Sequence, residues 1–322
     1  MGSLLEVRDL ATYFYTDEGV VKALDGVSFS IDEGEILGLV GETGCGKSVT
    51  ATSIMGLIPS PPGKVVRGSI LFNGRELLSL SERQMRSIRG REIAMIFQDP
   101  ASSLNPVFRV GFQVAEAIWA HLKTPIREAL LKAAELFGRV NIPDPLAAIS
   151  RYPHQLSGGM KQRVMIAMAL SLNPKLLIAD EPTTALDVSI QAQILSLIKR
   201  LQRDYGSSVL LISHDLGVIS TMAHRVAVMY SGLIVEEGRA EDLFQKPLHP
   251  YTQGLLAAIP RVDEDKSELA VIEGTIPDLT NSPAGCRFHP RCPWVMKICE
   301  AERPPLKTVE PKHKVACHAY AG

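Results

Sequence analysis

Apolar positions along this chain follow two rhythms. Residues 4–31 alternate apolar and polar in two runs, 5–10 and 22–31, with a turn signal at Asp17-Glu18-Gly19, which predicts a β-hairpin. A second hairpin is predicted over 68–74, where Asn73-Gly74 supplies the turn. Short apolar runs at 35–40, 92–99, 176–180 and 208–213 predict buried strands. From 99 to 156 the spacing becomes helical, over 110–122 and 126–140, and Pro106, Pro125, Pro143 and Pro145 bound these segments. This reads as a helical subdomain inserted into an α/β protein. Three more helices are predicted at 47–57, 156–171 and 188–205, the last with Ile190, Ile194, Leu197, Ile198 and Leu201 on one face.

The composition is that of an ordinary globular protein. With 322 residues, 46% of them apolar, the chain is long enough for two domains and a full core. A net charge of −1 points away from a nucleic-acid binder. Apolar stretches such as 164–172 and 226–235 are too short to span a bilayer, so any membrane role is expected to be peripheral. The N-terminus lacks a secretory pattern and Glu6 breaks the myristoylation pattern, so a cytoplasmic protein is expected.

Residues 41–48, GETGCGKS, fit the phosphate-loop pattern without mismatch, and they lie between a predicted strand and a predicted helix. The chemistry asks for these residues. Gly41, Gly44 and Gly46 let successive backbone N–H groups turn toward phosphates. Lys47 then reaches the terminal phosphates and the Ser48 hydroxyl ligates Mg²⁺. Downstream, Ser157-Gly158-Gly159 opens a helix whose N-terminus suits an anion. The strand at 176–180 ends in Asp180 and Glu181, one suited to the Mg²⁺ shell and the other to polarising a water for attack on the γ-phosphate. Gln98 and His214 also sit at strand ends. Tyr13-Phe14-Tyr15 reads either as an adenine-stacking surface or as plain sheet packing.

Together these residues closely resemble the nucleotide-binding subunit of an ATP-binding cassette (ABC) transporter: an α/β P-loop ATPase with an antiparallel β-subdomain and an inserted helical subdomain. The match runs from residue 4 to about 244. The resemblance implies nucleotide contacts at Gly41, Glu42, Thr43, Gly44, Cys45, Gly46, Lys47, Ser48 and Val49, with adenine on Phe14, or on Tyr13 if the register slips by one. It implies Mg²⁺ held through Ser48, Gln98 and Asp180, and catalysis by Glu181 with Gln98 and His214. Ser157, Gly158, Gly159 and Asp187 would act on ATP bound by a second subunit packed head to tail. Of Phe108, Phe112 and Trp119, at least two are expected in helix core, with a face toward the membrane subunits as the alternative.

Three further stretches, 179–188, Met160 in the signature at 156–160, and 247–256, resemble the dipeptide/oligopeptide/nickel importer ATPases, and within that group Met160-Lys161-Gln162-Arg163 resembles the D type. This implies a bacterial or archaeal importer, with a non-identical F-type ATPase partner, two transmembrane permease subunits and, indirectly, a solute-binding protein, all without nucleic acid. The ATPase would sit on the cytoplasmic face of the membrane. Peptide is the expected solute, with nickel or another small solute as the alternative. Cassette ATPases that work without membrane subunits typically have two cassettes or a long coiled coil, and neither is present here.

The cassette is expected at 1–245, with its helical subdomain at about 99–156, and a C-terminal extension at 246–322. Four of the five cysteines, Cys286, Cys292, Cys299 and Cys317, fall in the last 37 residues. In a cytoplasmic chain they argue for a metal or cluster rather than disulfides, and four thiolates suit either Zn²⁺ or an iron–sulfur cluster. His289, His313 and His318 are spare ligands. The family resemblance implies a small cysteine-rich domain with a [4Fe–4S] cluster, structural by default; a redox-sensing tail is the rival reading.

Overall fold

The computed structural model describes residues 2–184, 186–258 and 272–320, so the charged run at 261–268 lies outside the described residues. The chain divides into two compact units, one of residues 1–79 and 211–322, the other of residues 80–210. In chain order the first unit holds β1 (Ser3–Thr16), β2 (Gly19–Asp32), β3 (Ile36–Val40), α1 (Lys47–Ile54), β4 (Gly63–Phe72) and β5 (Arg75–Glu76). The second follows with α2 (Glu82–Ile88), β6 (Ile93–Ile96), α3 (Pro100–Ser103), α4 (Val110–Leu122) and α5 (Ile126–Arg139). It continues through α6 (Pro145–Ala148), α7 (Gly158–Ala169), β7 (Leu176–Asp180) and α8 (Val188–Tyr205). Strand β8 (Ser208–Ile212) crosses the boundary. The first unit resumes with α9 (Leu216–Met222), β9 (Arg225–Tyr230), β10 (Leu233–Arg239), α10 (Ala240–Gln245), α11 (Pro250–Ala257), α12 (Lys297–Ala301), β11 (Lys307–Glu310) and β12 (His313–Val315).

Two sheets frame the first unit. An antiparallel sheet runs in the order β2-β1-β4-β5. The β1–β2 hairpin is longer than the alternation marked, because register shifts after Val7, Leu10 and Thr12 break the two-residue period while pairing continues. A mixed sheet runs β11-β12-β10-β9-β3, with β3 parallel to β9. All five residues of β3 are buried, which is why that strand reads as an unbroken apolar run.

The C-terminal residues belong to this first unit rather than forming a body of their own. Antiparallel pairing of Glu236 with Val315 and Glu237 with Lys314 adds β12 to β10. Glu236, fully buried, accepts from His313 Nε2 at 2.7 Å and from the N–H groups of Leu248 and His249 at 2.7 and 2.9 Å. Asp25 on β2 accepts from Arg287 and Arg303, each at 2.7 Å. The tail is thus held by ion pairs and an added strand, and does not need a core of its own.

In the second unit β6 and β7 pair in parallel and are buried throughout. Helices α4, α5 and α7 pack on one another, with Ala129, Ala133, Ala134 and Phe137 forming the buried face of α5. Phe108, Phe112 and Trp119 correct the expectation of helix core: they are 47%, 37% and 49% exposed. Phe112 and Trp119 are seven apart on α4, so both lie on the face opposite the packed Val114 and Ile118. Among the described residues no helix is long and apolar enough to cross a membrane.

Candidate functional site

The phosphate loop leaves the end of β3 and closes onto α1. Gly41 has φ +152°, and a Cβ there would lie 2.1 Å from the Met229 carbonyl oxygen, so only glycine fits. Gly46 is the N-cap of α1 at φ 109°, with no side-chain cap, which leaves the first turn of the helix facing the loop. Lys47 is buried, and its ammonium donates to the carbonyls of Gly41 at 2.8 Å and Glu42 at 3.1 Å. A phosphate would compete with these carbonyls for the same protons. Cys45 is fully buried and burial raises its thiol pKa, which suits packing and not reaction. Thr43 and Gly44 are exposed, and Ser48 and Val49 begin the helix.

On β1, Thr12, Tyr13 and Phe14 pair with Val65, Lys64 and Gly63 in unbroken register, so Thr12 and Phe14 share one face and Tyr13 points to the other. Thr12 Oγ1 is 3.0 Å from Ser53 Oγ of α1, which puts Phe14 on the face toward the phosphate-loop helix. Tyr13 donates its phenol proton to Asp25 at 2.9 Å. Ser213 at the end of β8 donates its N–H to the Leu39 carbonyl at 3.3 Å, so exposed His214 leaves the sheet beside the strand that delivers the phosphate loop. Asp215 next to it caps α9, accepting from the N–H groups of Gly217 and Val218.

The acid pair and the signature belong to the second unit. Asp180 is buried at the tip of β7. Glu181 follows at φ 46°, a left-handed conformation costly for a residue with a side chain and frequent where geometry serves chemistry. Its Oε2 accepts from Gln98 Nε2 at 3.0 Å and from Thr184 Oγ1 at 2.9 Å. Gln98 and Glu181, far apart in sequence, are therefore in contact. Ser157 caps α7 by accepting the Met160 N–H, with Ser157 and Gly158 exposed. Gln162, on the buried side of α7, donates to the Pro182 carbonyl at 2.6 Å and so ties the signature helix to the chain just past Glu181. Asp187 and Val188 open α8, and Val188 is 84% exposed.

Sequence reasoning missed Thr184, Gln162 and a set of residues around Glu42. Thr184 sits three positions after Glu181, a spacing that suits a side-chain bond and was legible in principle. Glu42 accepts from Arg291 and donates its N–H to Tyr251, both more than two hundred residues away in the chain and with no local signal.

The four C-terminal thiols lie within electrostatic reach of one another. Burial first, with a smaller contribution from the neighbouring Cys299, Cys292 and Cys317 sulfurs, pushes the Cys286 thiol up to about 11. Cys292 and Cys317 are raised for the same reasons, burial first. The Cys286 N–H donates to the Cys299 carbonyl at 2.8 Å. Among the described residues no group of three His, Cys, Asp or Glu side chains is set to hold one metal ion. Each of the three spare histidines uses one ring nitrogen in a hydrogen bond: His313 Nε2 with Glu236, His289 Nδ1 with the Cys286 carbonyl and His318 Nε2 with the Glu302 carbonyl.

A strand-borne phosphate loop, an acid pair at a strand tip and a capped Ser-Gly-Gly turn with Ser157 and Gly158 exposed define an ABC-type P-loop ATPase. Residues 24–184 match the family described as ABC transporter, and residues 235–299 match the oligopeptide/dipeptide transporter C-terminal region. The chain belongs to the ABC transporter ATP-binding family. It is 53% identical to the oligopeptide transport ATP-binding protein OppD of Bacillus subtilis, covering 97% of this chain and 87% of that one. It is 47% identical to the dipeptide transport ATP-binding protein DppD of Escherichia coli, covering 98% and 96%. Among solved structures it resembles a dimeric ATP-binding cassette in a post-hydrolysis state bound to ADP and Pi, with TM-score 0.66 and 26% identity over 73% of this chain and 98% of that one.

Proposed function

We propose that this chain is the ATP-hydrolysing, energy-coupling subunit of an importer for dipeptides or oligopeptides. One observation carries the reading: Glu181 stands at a strand tip in a strained left-handed conformation, with its carboxylate held by Gln98 and Thr184. A carboxylate fixed in that way is suited to orienting and polarising a water molecule. In this reading Gly41 to Val49 contact the nucleotide, Phe14 stacks on adenine, and Ser48, Gln98 and Asp180 hold Mg²⁺. His214 contacts the γ-phosphate. The peptide assignment draws its support from the relatives, whose names are those of oligopeptide and dipeptide transport ATP-binding proteins.

A second ATPase subunit completes the machine. The exposed Ser157-Gly158 turn and the 84% exposed Val188 support a face that another cassette covers, and the solved neighbour is a dimer. We assign that partner as a non-identical ATPase. The exposed aromatic row of Phe108, Phe112 and Trp119 supports docking to two membrane permease subunits at the cytoplasmic face. At the C-terminal cysteines we favour a [4Fe–4S] cluster over zinc. That preference draws its support from the resemblance of the tail to peptide-importer ATPases, and four thiolates suit such a cluster. Metal analysis with a visible spectrum on anaerobically purified protein tests this: about four irons per chain supports it, and one zinc overturns it. For the main reading, the assembled transporter with Glu181→Gln should bind ATP and fail to turn it over, and full turnover would refute it.

A further inference from the structure

We propose that the C-terminal extension is part of the nucleotide site, with Arg291 and Tyr251 as positioning residues for the phosphate loop. This rests on the reading of residues 41–48 as that loop. Glu42, its second residue, is held at both ends. Its backbone N–H donates to the Tyr251 phenol oxygen at 2.9 Å. Its carboxylate takes the two-pronged guanidinium of Arg291, Nη1 to Oε2 at 2.8 Å and Nη2 to Oε1 at 3.2 Å. Neither partner comes from the cassette's own motifs.

Both partners are themselves fixed. The Arg291 side chain is 5% exposed and also donates to the carbonyls of Glu273 and Ile272 and to the Tyr230 phenol oxygen. Tyr251 is fully buried in an aromatic cluster with Tyr230 and Phe288, at ring separations of 4.6 and 5.5 Å. Tyr251 belongs to the 247–256 motif, and that motif is anchored where Glu236 accepts the Leu248 and His249 N–H groups. His249 Nδ1 in turn accepts the Tyr251 N–H at 3.0 Å and so starts α11 with Tyr251 aimed at the loop. Arg291 is the residue before Cys292, so the turn that carries a cysteine also carries the arginine.

Two physical effects follow. A glycine-rich loop must be ordered to aim its N–H groups at phosphates, and fixing its backbone on binding costs conformational entropy. Clamping Glu42 beforehand removes part of that cost. Glu42 also puts a negative charge within a loop that receives a triphosphate, and Arg291 neutralises it. Removing Arg291 therefore loosens the loop and bares a repelling carboxylate. Lys47 feels the same change, because its ammonium is held by the Glu42 carbonyl.

The test is the affinity of the purified full chain for a fluorescent ATP analogue, with folding followed by circular dichroism. Arg291→Ala should weaken binding by about tenfold or more, the scale of one charge-assisted contact. Arg291→Lys, which keeps the charge without the fork, should fall between. Arg291→Ala combined with Glu42→Gln should recover much of the loss, because the bared charge is gone; a purely structural role of Arg291 would give no such rescue. Tyr251→Phe, which removes the acceptor and keeps the ring, should weaken binding several-fold, and it serves as the test if Arg291→Ala does not fold. Lys47→Ala separates the two levels. Lost binding there with unchanged affinity in Arg291→Ala and Tyr251→Phe overturns the positioning role alone, whereas normal binding in Lys47→Ala overturns the phosphate-loop reading beneath it.

Discussion

Replacing Asp25 with Asn should loosen the C-terminal extension, and the size of the effect follows from what its carboxylate holds. Asp25 accepts from Arg287 at 2.7 Å, Arg303 at 2.7 Å and Tyr13 at 2.9 Å. Arg303 is 45% exposed, so water replaces most of what it loses. Arg287 is different. Its side chain is 3% exposed, and without Asp25 its guanidinium is a buried cation lacking its counter-charge. Breaking a buried pair from one side costs about 3–5 kcal/mol, and at about 2–4 °C per kcal/mol the melting temperature should fall by roughly 10 °C. Differential scanning calorimetry of the full chain measures it. Asp9→Asn is the control: its pair with Arg67 is exposed on both sides and should change stability by less than about 1 kcal/mol. Asp25→Leu with Arg287→Met removes both charges and should recover most of the loss. Burial alone would raise the Asp25 pKa, but hydrogen bonds from Arg303 and Tyr13 and the positive charges of Arg287 and Arg303 hold it below the ordinary value. A carboxylate with a depressed folded pKa contributes stability that is present above about pH 4 and lost as the pH falls through the folded value. The difference between wild type and Asp25→Asn should therefore shrink in acid. Asp25→Asn melting within about 2 °C of wild type at pH 7 would refute the reasoning.

Gly41→Ala should abolish ATP binding in a titration of the full chain, because the added carbon meets the Met229 carbonyl at 2.1 Å and the loop must move. Burial lowers the His249 pKa to about 4, so between that value and the unfolded value near 6.5 the unfolded chain binds the extra proton. Stability should fall as the pH drops through that window, and His249→Asn, which keeps a cap, should flatten the slope in pH-dependent melts. Thr184→Val removes one of the bonds that hold Glu181 and should lower kcat by about tenfold with little change in KM, read from steady-state ATPase assays. Trp119→Glu should leave ATP affinity unchanged and reduce co-purification with the permease subunits.

Much of the fold was legible because periodicity and punctuation agree. The expected helices 110–122 and 188–205 match α4 and α8 end to end, the first with Pro106 and Pro125 nearby and the second closed by Gly206 in a left-handed conformation. The phosphate-loop helix ends at Ile54, three residues short of the expected 57. The hairpin strands outran their alternation because bulges interrupt the period without ending the ladder. The aromatic residues Phe108, Phe112 and Trp119 depart from expectation for a general reason: apolar character marks burial, and exposed apolar patches share that composition. The site was legible wherever its chemistry is local, as in the loop glycines, Lys47 and the capped Ser157 turn. The Glu42–Arg291 pair was not, since 249 residues separate its members and neither sits in a repeating pattern.

The account stands most directly on Glu181. The decisive measurement is single-turnover ATP hydrolysis, with retained nucleotide quantified, in the assembled transporter carrying Glu181→Gln. The account predicts ATP bound as in wild type and hydrolysis slowed by about 10²–10⁴-fold, the range of a positioned general base. Hydrolysis at the wild-type rate would contradict it and remove Glu181 from the chemistry.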